Sequence, residues 1–259
     1  MIKAIFFDID GTLVSFNTHR IPQSAIDAIS MAKAKGVRIY ISTGRPLSLI
    51  NNLDEIKHLI DGYITANGAL CFSDDGIISC TPIPKEDVLT VLRFSDDMKF
   101  PCMVVGEKDL TMYNSDERTD RIFRRMLNVH NMREDNNVEQ ILQQRILQLT
   151  PVISVAEEEL IMPCLSGCVS SRWYPDFADI TATNVNKGNG LLDIISHEGI
   201  SIDETMAFGD GGNDLSIIEK AGLGVAMGNA NQALKEVADY VTSSVDEDGV
   251  YNAMKKFVL

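Results

Sequence analysis

Positive charge is scarce in this 259-residue chain: 23 lysines and arginines stand against 37 aspartates and glutamates, a formal net charge of −14. That balance, with no Lys/Arg patch to offset it, excludes a surface built for nucleic acid or anionic lipid. Long apolar runs are missing as well, and none approaches the roughly 20 residues of a membrane span. The first residues lead straight into a strand-like segment carrying Asp8 and Asp10. That pattern is unlike a signal peptide, so a cytoplasmic location is expected. Cysteine occurs five times, at Cys71, Cys80, Cys102, Cys164 and Cys168, an odd and scattered set without a CxxC pair. Such spacing suits reduced thiols rather than a disulfide framework. Cys164 and Cys168, with only His197 downstream, make a poor zinc site. There is one tryptophan, Trp173, and neither an internal repeat nor a low-complexity linker is visible.

What the chain does have is two clusters of carboxylates. Phe7-Asp8-Ile9-Asp10-Gly11-Thr12 lies near the start and Gly209-Asp210-Gly211-Gly212-Asn213-Asp214 near the end. Each follows an apolar run that reads as a buried strand, Ala4-Ile5-Phe6-Phe7 and Thr205-Met206-Ala207-Phe208. In a parallel α/β sheet, sites form beyond the carboxyl ends of the strands, so both clusters are expected at one mouth. Anionic groups crowded there repel one another unless a cation joins them. A divalent metal is the first inference.

The fold class expected is α/β, a doubly wound Rossmann-like parallel sheet. Strand and helix alternate through the first third and again from Lys187 onward. Pro22 opens a helix closed by Gly36, Val37 to Ile41 is a β-branched strand, and Asp74-Asp75-Gly76 reads as a hairpin turn. Between them the texture changes: helices over Glu86–Ser95, Asp116–Asn128 and Val138–Leu147 mix with isolated strands, Met103–Val105 and Pro151–Val155. An inserted α+β cap with an antiparallel sheet is expected over 84–182. The core is then 1–83 and 183–259, and the cap selects the substrate.

Individual groups carry chemistry with different force. In Asp8-Ile9-Asp10-Gly11-Thr12 one carboxylate can attack phosphorus and the second can protonate the leaving alcohol and later activate water. An ordinary acidic turn after a strand would use the same residues. Ser42-Thr43-Gly44-Arg45 offers a hydroxyl and free N–H groups for an anion, although a helix cap would look alike. Lys187 opens a helix, where the dipole disfavours a cation, so pairing with a carboxylate and a phosphate is a better explanation of its place. Asp210 directly follows a strand and can bind metal, while Asp214 can cap a helix and orient Asp210 or Lys187. Gly222-Leu223-Gly224-Val225-Ala226-Met227-Gly228 imitates a dinucleotide fingerprint, but its glycines precede and cover the strand, so it reads as close packing.

The order Asp8-x-Asp10, Thr43, Lys187, Asp210 to Asp214 resembles the four-motif signature of the haloacid dehalogenase superfamily. The resemblance covers the whole chain. Ser42-Thr43-Gly44-Arg45-Pro46, Ala66-Asn67-Gly68-Ala69 and the Gly209–Asp214 cluster look like its Cof-type branch with an α/β (type IIB) cap. Asp8 to Phe16 and Arg172-Trp173-Tyr174-Pro175 are similar to Bacteroides-type hexose-phosphate phosphatases. The resemblance implies Asp8 as nucleophile and Asp10 as general acid/base. It implies that Thr43 and Lys187 hold the phosphate; Gly44, Arg45, Asn213 and Asp179 are expected toward the substrate, Arg45 by its place beside the phosphate loop and Asp179 in the segment that leads back toward Lys187. Mg²⁺ is held by Asp8, Asp10 through its backbone carbonyl, and Asp210, with Asp214 grouped at the same site.

The function expected is Mg²⁺-dependent hydrolysis of small phosphorylated metabolites, sugar phosphates among them, through an aspartyl-phosphate. The partner is a phosphorylated small molecule, with no nucleic acid and no membrane, and the protein is expected to be a monomer. A phosphomutase of the same superfamily and a non-catalytic sugar-phosphate-binding regulator are the alternatives. Trp173 either stacks on a sugar face or packs in the cap.

Overall fold

A computed structural model describes residues 1–126 and 138–259. These form two compact units, Met1–Arg45, Ile50–Ser79 and Asn186–Leu259 in the first, and Pro46–Leu49 with Cys80–Val185 in the second. Apart from Pro46–Leu49, the second unit runs from Cys80 to Val185, and the sequence suggested an insertion over 84–182.

The first unit is built on an eight-stranded sheet in the order Tyr240–Val241, Leu223–Ala226, Thr205–Gly209, Ala4–Phe7, Arg38–Ser42, Gly62–Thr65, Leu70–Ser73, Gly76–Cys80. Neighbours are parallel as far as Gly62–Thr65, and Leu70–Ser73 then pairs antiparallel to it. The strand Ala4–Phe7 is buried throughout because both faces are covered. Its period of two divides the side chains. Ile5 and Phe7 face a cluster containing Ile29 and Ala32 of helix Gln23–Ala34 and Val250 and Met254 of helix Gly249–Phe257. Ala4 and Phe6 face Leu191 and Ile194 of helix Lys187–Glu198, Ile217 and Ile218 of Leu215–Lys220, and Leu234 of Gln232–Val237. The fold is doubly wound, as the alternation of elements suggested.

From Ala4–Phe7 the sheet grows in one direction through Arg38–Ser42 and in the other through Thr205–Gly209. The order of strands reverses there, and such a switch point leaves a crevice beyond the carboxyl ends. Phe7 stands opposite Phe208 on one side and Ile41 on the other. The residues that follow these three, Asp8, Gly209-Asp210 and Ser42-Thr43, consequently leave the sheet at one level.

The second unit holds a five-stranded antiparallel sheet in the order Leu110–Tyr113, Cys102–Gly106, Ile146–Pro151, Phe177–Ala182, Cys168–Tyr174. Helices Lys85–Met98, Val138–Ile141 and Val155–Ile161 supply Val88, Val91, Ile141 and Ile161 to a core with Val104, Leu149 and Ile180.

Three elements differ from the sequence reading. The helix expected over Val138–Leu147 stops at Ile141, and Ile146–Pro151 is a strand. This strand lies at the centre of the sheet and is buried along its whole length, Gln148 and Thr150 included, so it lacks the buried/exposed alternation that marks a strand in sequence. The strand expected over Pro151–Val155 is replaced by a helix from Val155, capped by Ser154 and Glu157 in a reciprocal capping box. The helix expected over Asp116–Asn128 is seen as Glu117–Thr119 followed by a wider π turn over Asp120–Met126; its last two residues fall outside the described ones.

Candidate active site

Asp8 leaves the central strand with its backbone N–H donating to Phe208 O. Its carboxylate Oδ1 accepts a hydrogen bond from Lys187 Nζ at 2.6 Å. The same Nζ donates to Asp214 Oδ1, also at 2.6 Å. Lys187 is fully buried, so its ammonium has no water and its two carboxylates replace it. Burial works to discharge this ammonium, but Asp214 and Asp8 outweigh it and hold the proton on the nitrogen. Asn186 caps the helix through Asn189 N–H, which sets Lys187 as the first helical residue.

Asp214 has both oxygens committed. Oδ1 takes Lys187, while Oδ2 accepts from the backbone N–H groups of Asp210 and Gly211 at 3.0 and 2.9 Å. A Cβ at Gly209 would lie 2.5 Å from that of Asp214, so the close approach requires glycine there. Asp214 thus braces the loop that presents Asp210. Thr12 Oγ1 donates to Asp210 Oδ1 at 3.3 Å. Gly11, with φ of +85°, lies so close that a Cβ would stand 2.2 Å from Asp210 Oδ2. Glycine satisfies both the left-handed backbone and the absence of space.

Asp8, Asp210 and Asp214 each offer an oxygen within 4.8 Å of the other two, a group compatible with a metal ion. The electrostatics fit a cation. Burial raises the Asp8 carboxyl well above its usual range, Lys187 opposes, and Asp214, Asp210 and Asp10 push it further up. Burial and then Asp214 raise Asp210 to about 7, against the pull of Lys187 and the Thr12 hydroxyl. One ammonium does not balance three crowded carboxylates, whereas a divalent ion would.

The Asp10 side chain stands apart from this group. Arg45 Nε donates to Asp10 Oδ2 and Arg45 Nη2 to Asp10 Oδ1, each at 2.7 Å. The sequence placed Arg45 toward a substrate hydroxyl; its guanidinium is engaged with Asp10. Thr43 is 2% exposed and its Oγ1 accepts from Arg45 N–H, so the turn Thr43-Gly44-Arg45 is closed on itself. At Gly44 a Cβ would lie 3.0 Å from Asn67 Oδ1 and 3.3 Å from Asn213 Nδ2. Asn213 Nδ2 donates to Asn67 Oδ1 at 3.1 Å, which joins the loops after two different strands.

Eight of the sequence-predicted residues, Asp8, Asp10, Thr43, Gly44, Arg45, Lys187, Asp210 and Asn213, therefore lie with Asp214 in the first unit. Asp179 belongs to the second unit. It sits within the strand Phe177–Ala182, 3% exposed, where Gln148 Nε2 and Thr150 Oγ1 donate to its Oδ1 at 2.9 and 2.7 Å. Three residues of the site were given no role from the sequence, although Thr12 and Asn67 lie within the quoted motifs. Thr12 was read only as part of a turn. Asn67 is buried with φ of +57°, a conformation that asparagine tolerates, and the dipeptide Asn67-Gly68 hints at it. Asn229 follows the glycine run set aside as packing, and its amide reaches Gly11 O at 2.8 Å.

Comparison with known proteins agrees with this geometry. The family model of haloacid dehalogenase-like hydrolases matches residues 5–254. A putative phosphatase of Bacillus subtilis (strain 168), YkrA, is 31% identical over 273 residues, covering 99% of this chain and 98% of that protein. Among solved structures, the haloacid dehalogenase subclass IIB sugar phosphatase BT4131 is 47% identical with a TM-score of 0.92, and 98% of each chain is covered. BT1666 from Bacteroides thetaiotaomicron, a phosphatase of the haloalkanoate enzyme superfamily, is 34% identical with a TM-score of 0.89, covering 99% of this chain and 95% of its own.

Proposed function

The chain belongs to the haloacid dehalogenase-like hydrolases and is a phosphatase of that family, and from this premise we propose that it hydrolyses sugar phosphates with Mg²⁺ through an aspartyl-phosphate on Asp8. The observation that carries the reading is the buried bridge Asp8–Lys187–Asp214 beside Asp210. It presents one carboxylate at the crevice with a cation fixed against it.

A phosphate monoester reaches the crevice as an anion facing an anionic nucleophile. Charge neutralisation and in-line placement are then the main tasks. Lys187 supplies one fixed positive charge, and in the Thr43 turn, where the Thr43 and Arg45 N–H groups go to Ile64 O and Thr43 Oγ1, the Gly44 N–H is the one available to a phosphate oxygen. Asp8, Asp210 and the Asp10 carbonyl would hold Mg²⁺, which would supply further neutralisation of phosphate oxygens. Asp214, with both oxygens already occupied, serves as the support of Lys187 and of the Asp210 loop.

In the first step an Asp8 oxygen bonds to phosphorus, the bond from phosphorus to the sugar oxygen breaks, and Asp10 gives that oxygen a proton. In the second, Asp10 takes a proton from water, the water oxygen bonds to phosphorus, and Asp8 is released as a carboxylate with inorganic phosphate. Asp179, 3% exposed with its Oδ1 taken by Gln148 and Thr150, belongs to the polar interior of the second unit's own sheet. The sugar-phosphate assignment is supported by the likeness to BT4131.

A screen of phosphorylated sugars, polyols and other phosphomonoesters, assayed for phosphate release with and without Mg²⁺, tests this. Steady turnover of hexose phosphates that needs Mg²⁺ and no bisphosphate activator is expected. Turnover confined to phosphates without a sugar would overturn the substrate class.

A further inference from the structure

The segment Met227-Gly228-Asn229-Ala230, which follows the strand Leu223–Ala226, carries an amide that the reaction as described does not use. Asn229 Oδ1 accepts a hydrogen bond from Val245 N–H at 3.0 Å. A backbone N–H must meet an oxygen, so this bond decides the orientation of the amide and turns its NH₂ the other way. That NH₂ donates to Gly11 O at 2.8 Å and lies 3.4 Å from Asp210 Oδ2. The loop is held at the same place by its backbone, since Asn231 N–H donates to Asp210 O and Met227 N–H to Gly209 O.

Asp210 is thereby confined on three sides. Thr12 holds Oδ1, Gly11 leaves no room for so much as a Cβ beside Oδ2, and the Asn229 amide lies over Oδ2. The arrangement matters because Asp210 has crowded anionic neighbours and would otherwise swing away from them. We propose that Asn229 is a positioning residue for the divalent-metal site, an amide brace that ties down the Gly11 backbone and sets the Asp210 carboxylate in place for the ion. The proposal rests on the metal reading given above and assigns to it a residue outside the four sequence motifs. Val245 fixes which way the brace points, so the segment ahead of the C-terminal helix Gly249–Phe257 is part of the support of the site.

Groups that orient a metal ligand, without touching the metal, typically alter metal affinity by tenfold or more. The test measures Mn²⁺ binding to the substrate-free full chain, by calorimetry or by the paramagnetic signal of free Mn²⁺, for the wild type, Asn229→Ala and Asn229→Ser. Serine keeps a polar group too short to reach Asp210. Both variants are expected to bind Mn²⁺ about tenfold more weakly. In turnover assays the Mg²⁺ concentration for half activation rises by a similar factor, while kcat at saturating Mg²⁺ returns to near the wild-type value. The metal-free melting temperature, measured alongside, reports loss of the Val245 hydrogen bond separately.

Variants that fold and bind Mn²⁺ within about twofold of the wild type, well short of the effect of an outer ligand support, overturn the proposal. Failure of both variants to fold also overturns it, because Asn229 is then a tether for Val245. A wild-type chain that binds no Mn²⁺ refutes the metal reading itself, an outcome distinguishable from either.

Discussion

Arg45 grips Asp10 in a two-pronged ion pair, Nε to Oδ2 and Nη2 to Oδ1, each 2.7 Å long. The guanidinium fork matches a carboxylate in a way lysine cannot. Both Asp10 oxygens are held in a known direction, which bears on a residue proposed to move protons. If Arg45 acts through Asp10, its removal should matter for any poor leaving group, whether or not the substrate has hydroxyls.

Arg45→Ala is therefore expected to lower kcat/KM for propyl phosphate, which has no hydroxyls, by about tenfold or more, as for a sugar phosphate. For p-nitrophenyl phosphate, whose leaving group needs no proton, the loss should stay within a few-fold. Because kcat/KM covers only the steps to the aspartyl-phosphate, slow hydrolysis of that intermediate does not enter. A loss on sugar phosphates with propyl phosphate untouched would return Arg45 to the role of reading hydroxyls.

Asp8→Asn should abolish phosphate release and leave the fold intact. Asparagine is nearly isosteric and Lys187 keeps Asp214 as its partner. Beryllium trifluoride should bind the wild type at Asp8 and not the variant. Circular dichroism would establish folding, and substantial turnover by the folded variant would refute covalent catalysis.

Removing Asp210 takes away a charge that the bracing residues exist to place. Asp210→Ala should weaken Mg²⁺ activation and cost on the order of 10²-fold in rate. Excess chelator should stop the wild-type enzyme and added Mg²⁺ should restore it. Undiminished turnover in chelator would contradict the metal assignment.

The second unit offers a prediction on stability. Asp87 is 3% exposed at the start of helix Lys85–Met98. Burial acts to raise its carboxyl, but the N–H groups of Ser166 and Gly167, the Cys168 thiol and the Ser166 hydroxyl outweigh burial and hold it below the usual range. Asp87→Asn puts an NH₂ where one of these donors needs an acceptor, and should cost about 1–3 kcal/mol at neutral pH. A carboxyl lowered in the folded state contributes its stability above its unfolded pKa, near 4, and loses that contribution as pH falls through the folded value. The gap between wild type and variant should thus be full at neutral pH and narrow below about pH 4. Unfolding curves of the full chain across that range would show it, and a gap independent of pH would refute the ionic origin.

Much of this protein is legible before any coordinates. The apolar runs Ala4–Phe7 and Thr205–Phe208, each ending in acid, announce parallel strands whose ends meet, because only a sheet covered on both faces is apolar without alternation. Lys187 at a helix start stood out as a misplaced charge, and its two buried carboxylate partners explain why it is there. Local chemistry was enough for these residues, since their neighbours in sequence already limit what they can do.

Other features were decided by packing. Ile146–Pro151 is a strand because it occupies the middle of a sheet, a fact of topology that its own residues do not state. Arg45 and Asp10 lie on successive parallel strands' loops, so their pairing depends on register rather than spacing. Asn229 reaches Gly11 across more than two hundred residues of chain, and only the adjacency of the strands Leu223–Ala226, Thr205–Gly209 and Ala4–Phe7 brings it there. The sequence by itself determined which groups carry charge and the strand ends from which they project. The tertiary structure decided which of them touch, because hydrogen bonds of about 3 Å require a three-dimensional coincidence that no one-dimensional pattern encodes.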